Sequence, residues 1–254
     1  MDVKPQPPAV KVDDPPKKVP DAPNFAKDEP ISLLPNLLTD EEKKAGWKLL
    51  FDGATTDGWH TFGSATIDKR WVIKDNNLSF DPSIKLESPS KYGADIVSDK
   101  EYSNFELSLD WKISEGGNSG ICIYVKEDFP KYTSMWQTGP EIQVLDDAKH
   151  PDGKIAKHNA GDLYDLIAHN NPKAIKGPNE WNHVMIKCVN GLLTVKVNGF
   201  TTVQTQLWND TWKNMVAASK FAAYKDFGIY KKGRIGLQDH GDKVWYRNIK
   251  IKEL

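Results

Sequence analysis

Residues 141–146 read EIQVLD. Successive side chains of a strand point to opposite faces. Glu141, Gln143 and Leu145 therefore share one face, and Ile142 and Val144 share the other. A carboxylate beside an amide, backed by an apolar pair, suits three settings. It fits a solvated sheet surface, a polar ligand floor or a catalytic site.

Two other strand-like runs present compatible faces. In SGICIYV, with Ile121 and Ile123 inward, the other face holds Gly120, Cys122 and Tyr124, with Asn118 in phase just before. In RIGLQDH, with Ile235 and Leu237 inward, it holds Arg234, Gly236, Gln238 and His240. If these three strands are neighbours, Asn118, Tyr124, Glu141, Gln143, Gln238 and His240 form one polar floor. The stretch GGNSG (116–120) reads as a plain loop or as a point of close backbone approach to a ligand. Lys220 and Trp136 are further candidates.

His150, His158 and His169 fall in one long insertion, His183 starts a strand and His240 ends one. No HExxH or His-x-His spacing and no Cys cluster occurs, so the spacing points to no metal ligands and no cofactor. DDAKHPDGK lacks the ligand ladder and terminal Glu of a calcium loop. A cation in a cleft stays open. Nucleophile-elbow, P-loop and dinucleotide signatures are missing.

The elements that must position these residues are β-strands. FELSLDWKI alternates Phe105, Leu107, Leu109, Trp111 and Ile113 against Glu106, Ser108, Asp110 and Lys112. HVMIKCVNGLLTVKVNG predicts a hairpin turning at Asn190-Gly191. WKLLF, WVIKDNNLSF, DIVS, TTVQTQ and VWYRNIKIKEL add more, for about eleven or twelve strands in all. One short helix is expected, with Thr39 capping DEEKKA and Glu42 closing a capping box, as a surface cap on the domain. The stretch from about 147 to 180 is loop-rich, with DLYDLI as its compact part, and such insertions are usually lids or binding loops. The fold class is all-β, an antiparallel sandwich or barrel.

Nine of the 16 prolines lie in the first 35 residues, in a run too polar to offset its ordering entropy. Residues 1–37 read as a Pro-rich linker or arm, and 38–254 as the folded domain with all nine tryptophans. A net charge of −1 without a basic stripe argues against nucleic acid. No apolar run is long enough to span a membrane. Cys122 and Cys188 read as buried free thiols, with one disulfide as the alternative, which leaves the redox compartment open.

Six stretches in order, GWKLLFDGATTDGW, SNFELSLDWKISEGGNSGICIYV, TGPEIQVLDD, AGDLYDLI, WNHVMIKCVNGLLTVKVNG and GRIGLQDHGDKVWYRNIKIKEL, resemble the 3-keto-disaccharide hydrolase domain family. The similarity runs from about Leu38 to the C-terminus. It implies a concanavalin A-like jelly roll of two curved antiparallel sheets with a cleft on the concave face, and glycosides oxidised at C3 as ligands. It implies periplasmic or cell-surface placement, with the Pro-rich arm as the tether left by a removed lipoprotein signal. Family motif residues carried over are Asn118, Glu141, Gln143, Asp162, Tyr164, Lys220, Gln238 and His240.

Ordinary glycoside hydrolysis needs two carboxylates ~5 to 9.5 Å apart. In-phase strand positions lie about 6.6–6.8 Å apart, yet the second one here is Gln143, which serves neither as nucleophile nor as acid. Asp146 has the opposite phase unless a bulge re-aims it. A 3-keto sugar needs less, because the ketone acidifies the C2 proton. One base removes it, the enolate expels the C1 substituent, and water adds to the alkene. The expected catalytic residues are Glu141, His240 and Lys220: Glu141 or a nearby His as base, Lys220 or His240 at the enolate oxygen. The expected substrate-binding residues are Asn118, Tyr124, Trp136, Gln143, His158, Asp162, Tyr164 and Gln238. The alternative is a carbohydrate-binding module of the same fold without chemistry.

Overall fold

The computed structural model describes residues 35–87, 90–169 and 171–254. The Pro-rich arm expected over residues 1–37 lies, up to residue 34, outside the described residues. Asn36 already belongs to the domain: its backbone N–H and side-chain oxygen exchange 2.7 Å hydrogen bonds with Asn248.

Helix α1 (Asp40–Lys44) carries the expected Thr39 cap and Glu42 capping box, and the chain leaves it through Gly46 at φ 89°. The helix is more than a surface cap. Glu42 is buried and forms an ion pair with Lys250.

Among the described residues thirteen strands follow. They are β1 (Lys48–Leu49), β2 (Trp59–Thr61), β3 (Trp71–Lys74), β4 (Asn77–Phe80), β5 (Ile96–Ser98), β6 (Phe105–Ile113), β7 (Asn118–Val125), β8 (Glu141–Leu145), β9 (Asn182–Val189), β10 (Leu192–Val197), β11 (Phe200–Gln206), β12 (Arg234–Leu237) and β13 (Val244–Glu253). The larger sheet runs β11-β10-β9-β6-β13-β4-β3, with β1 on β13; the smaller runs β2-β5-β12-β7-β8. Every pairing is antiparallel, and sheet neighbours distant in sequence give the jelly-roll type of crossing.

The two sheets bury one shared core in which Leu107, Leu109 and Trp111 of the larger sheet meet Ile121, Ile142 and Val144 of the smaller. Period-two alternation supplies this apolar layer from both sheets. The outer face of the larger sheet is closed by charge pairing. Glu106 accepts from Lys187 at 2.5 Å and pairs with Lys252 at 2.7 Å on the two flanking strands. Asp110 accepts from Arg247 and Asn248 and is hydrogen-bonded to His183. Among the described residues no helix is long and apolar enough to cross a membrane.

Strands β12, β7 and β8 are consecutive neighbours in the smaller sheet, with β8 at its edge. These are the three strands whose polar faces the sequence offers as a floor. Helix α2 (Asp210–Ala217) lies outside the expected pattern of strands and loops. Asn209 caps it by accepting from Trp212 N–H at 2.8 Å. Ser219 then caps a 3-10 turn, Lys220–Ala223.

Candidate active site

A cleft of about 160 Å³ opens on the outer face of the smaller sheet. It is lined by Glu141, Gln143 and Asn118 from the sheet, Gln238 and His240 just beyond β12, and Trp136, Tyr164, Lys220 and Phe221 from the covering loops.

Glu141 is the one carboxylic acid among the described lining residues. Its side chain lies over β7 across Gly120, where a Cβ would fall 2.0 Å from Oε1. Glycine is therefore required beneath the acid. The residue is 5 % exposed. Burial raises its pKa to about 8; nearby Lys220 opposes the rise, and the charges of Asp95 and Asp152 add to it. Burial likewise lowers the pKa of Lys220, while Glu141, Asp165 and Asp152 act against that shift. Its ammonium sits 3.9 Å from the centre of the Tyr164 ring, a cation–π contact.

The amides divide the polar work. Gln143 Oε1 accepts its neighbour's Val144 N–H at 3.1 Å, which leaves its NH₂ as the cleft donor. Asn118 Oδ1 and Gln238 Oε1 are buried acceptors without a protein partner. Buried acceptors left open are costly, and a ligand's hydroxyl protons or a cation would satisfy them.

The long insertion reaches the cleft by extending the sheet. Gly161 N–H donates to Gln143 O, Gln143 N–H to Asp162 O, and Tyr164 N–H to Glu141 O, all at about 3.0 Å. DLYDLI is thus a short edge added to β8, and it sets Tyr164 beside Glu141. Tyr164 OH donates to Asp152 at 3.1 Å. Lys220 N–H donates to Asp165 at 2.8 Å, fastening the turn after α2 to the insertion.

Three expected substrate-binding residues lie elsewhere. Tyr124 is 1 % exposed in the core between the sheets, where its hydroxyl donates to Ser103 O. The reason is a bulge. Arg234 pairs with Val125 and Gly236 with Cys122, so β7 holds one extra residue, and Tyr124 takes φ 55°. Strict alternation therefore fails at that residue. Asp162 is fully buried behind the cleft, accepting from Asn159 and His169 N–H. Its carboxylate ties the insertion's turn. His158 stands behind Tyr164, ring centres 4.2 Å apart, hydrogen-bonded to Asp165 and 3.4 Å from Asp152. It buttresses the wall.

Sequence reasoning misses Phe221, which stacks on Phe227 at 3.8 Å and lines the cleft. It also misses Asp95, a buried acid just before β5 whose pKa burial raises to about 7. Its carboxylate accepts Asp239 N–H. Neither has a motif, because their neighbours come from distant segments. The fold also gathers His150, His240 and Asp242, whose ligating atoms lie within 4.8 Å of one another. Residues from two distant segments leave no spacing to read.

These features define a class: a two-sheet antiparallel β-sandwich whose smaller sheet carries a polar cleft around one buried carboxylic acid. Within that class the family is specific. Residues 46–252 match the 3-keto-alpha-glucoside-1,2-lyase-like domain, and the chain belongs to that family. A 3-keto-disaccharide hydrolase of Bacteroides thetaiotaomicron is 34% identical over 229 residues, 82% of this chain and 79% of that protein. A crystal structure of a candidate glycosyl hydrolase from Parabacteroides distasonis superposes with a TM-score of 0.77 at 33% identity, over 87% of this chain and all of the other. A second from that organism gives 0.60 at 29% identity, over 82% and 99%.

Proposed function

We propose that this protein is a carbohydrate-active enzyme that cleaves 3-keto-glycosides by elimination and hydration across C1–C2. The observation that carries the reading is Glu141, the single carboxyl among the described residues that line the cleft, with an amide at the position where a two-carboxylate glycosidase needs its partner. The names of the family and of its Bacteroides relative support the substrate class.

Glu141 in its ionised form takes the C2 proton. The C2–H electrons form the enolate, with its charge on the C3 oxygen facing Lys220. Collapse of the enolate re-forms the ketone, makes the C1–C2 double bond and expels the C1 substituent, which leaves with a proton. Water then adds across the double bond, its hydroxyl going to C1 and its proton to C2, so the proton taken by Glu141 is the one that leaves with the C1 substituent. A pKa near 8 makes Glu141 a stronger base than an ordinary carboxylate, at the cost of a small ionised fraction at neutral pH. Gln143 donates to a sugar hydroxyl, Asn118 and Gln238 accept from others, and Trp136 and Tyr164 flank the ring.

The test is to incubate the protein with a 3-keto-glucoside and with the unoxidised glucoside, in deuterium oxide. Aglycone is expected only from the keto form, with deuterium at C2 of the sugar product. Equal cleavage of both, or product without C2 deuterium, refutes elimination.

A further inference from the structure

We infer that His150, His240 and Asp242 hold one divalent transition-metal ion at the end of the cleft, with open coordination positions facing the sugar. The three come from two segments that meet at one end of strands β12, β7 and β8. His150 follows β8, His240 and Asp242 lie between β12 and β13, and Asn118 opens β7 beside them. Their ligating atoms already lie within 4.8 Å of one another, and the two rings meet edge to face at 5.9 Å. His240 Nδ1 is 3.9 Å from Asp242 Oδ2.

A tetrahedral ion with metal–nitrogen distances near 2.1 Å needs ligand atoms about 3.4 Å apart. The contraction is small, and two of the three side chains project from an accessible loop. Two imidazoles and one carboxylate suit zinc, cobalt or manganese over calcium or magnesium, and three protein ligands leave positions open for exogenous oxygen.

The surroundings are built for positive charge. Asn118 N–H donates to Asp242 Oδ2 at 3.1 Å and fixes that carboxylate, as second-sphere partners do in metal sites. The same residue's Oδ1 and the nearby Gln238 Oε1 are buried acceptors with no protein donor. This wall of the cleft offers lone pairs, which an ion or its bound waters would satisfy. One contact must yield. His150 Nδ1 accepts Asp152 N–H at 3.1 Å. Whichever ring nitrogen ligates gives up that bond: Nδ1 directly, Nε2 because the ring proton then resides on Nδ1. The 3-10 turn Pro151–Lys154, which His150 caps, shifts accordingly.

Vicinal sugar oxygens, above all the oxygen pair of an α-hydroxyketone, would close a five-membered chelate on the open positions. This part rests on the function proposed above; the ion itself does not. The experiment therefore begins without sugar. The full chain is stripped with a chelator and titrated with Co²⁺, read by visible absorption, and with Zn²⁺, read by calorimetry. One ion per chain is expected, weakened at least tenfold in His240→Ala and in Asp242→Asn, with folding of each checked by circular dichroism. His183→Ala, on the outer face of the larger sheet, is expected to bind as the parent does. Absence of stoichiometric binding, or equal binding in both cleft variants, overturns the site. A 3-keto-glucoside is then added to the Co²⁺ form: a changed spectrum supports direct coordination, and an unchanged spectrum overturns the sugar-facing role. If the protein binds the ion but cleaves no keto sugar, the proposed reaction fails and the metal site stands.

Discussion

Glu141 is expensive to bury, and in the proposed mechanism it is useful for the same reason. Its pKa of about 8 in the folded protein lies above its ordinary 4.5, so between those values the folded state holds a proton that the unfolded state has lost. Its stabilising effect is complete below pH 4.5 and is lost as pH rises toward 8. Asp95 acts in the same sense from 3.8 to about 7. Thermal denaturation of the parent is therefore expected at falling temperature from pH 5 to 8, with a flatter profile in Glu141→Gln, which keeps the shape and has no proton to lose. The same variant is expected to lose about 100-fold or more in turnover, and an identical melting profile would show that the acid is not buried as described. Gly120→Ala probes its seat. The added methyl collides with the carboxyl rather than the backbone, so the fold should survive while turnover falls by about tenfold or more through displacement of the base; full activity would mean that Glu141 does not act from this position. Glu141 and Gln143 were legible from alternation alone. Tyr124 was not, because a single inserted residue at the β7 bulge turns it from the outer face into the core.

At the scale of elements, the cleft is a floor laid by strands and walls brought by irregular chain. The floor follows from period-two patterning, which a sequence states openly. The walls depend on two attachments that it does not state. One is the edge pairing of residues 161–164 to β8 through backbone groups, which carry no side-chain signature. The other is α2 and its following turn, which set Lys220 and Phe221 at the rim. Asn209, three residues ahead of the Trp212 N–H that it caps, was the one local sign of that helix. Asn209→Ala is expected to lower stability by about 1 kcal/mol, as lost N-caps do, and to reduce kcat/KM by less than Glu141→Gln does, since in the proposed mechanism it reaches the chemistry only by way of the turn that carries Lys220. A reduction as deep as that of Glu141→Gln would mean that α2 itself takes part in the cleft.

For the molecule as a whole, the two sheets divide structure from chemistry: one closes its outer face with ion pairs, the other opens it as a cleft. The thiols follow this division. Cys188 sits in the core beneath the larger sheet and Cys122 under the loop that covers the smaller one, both free and fully buried. Reductant is expected to leave the melting temperature unchanged, and thiol reagent to label both only on unfolding; rapid labelling of the folded protein would contradict this packing. The sequence alone determined the all-β class, the capped first helix, the hairpin at Asn190-Gly191, and the acid-beside-amide face that disfavours two-carboxylate hydrolysis, because each is a local pattern of spacing or side-chain type. Only the tertiary structure decided that β12, β7 and β8 are neighbours, that Tyr124 leaves the floor, that Asp162 and His158 stand behind it, and that His150 meets His240 and Asp242. Those outcomes depend on strand order, a bulge and backbone pairing between distant segments, and side-chain periodicity within any one segment is silent about all three.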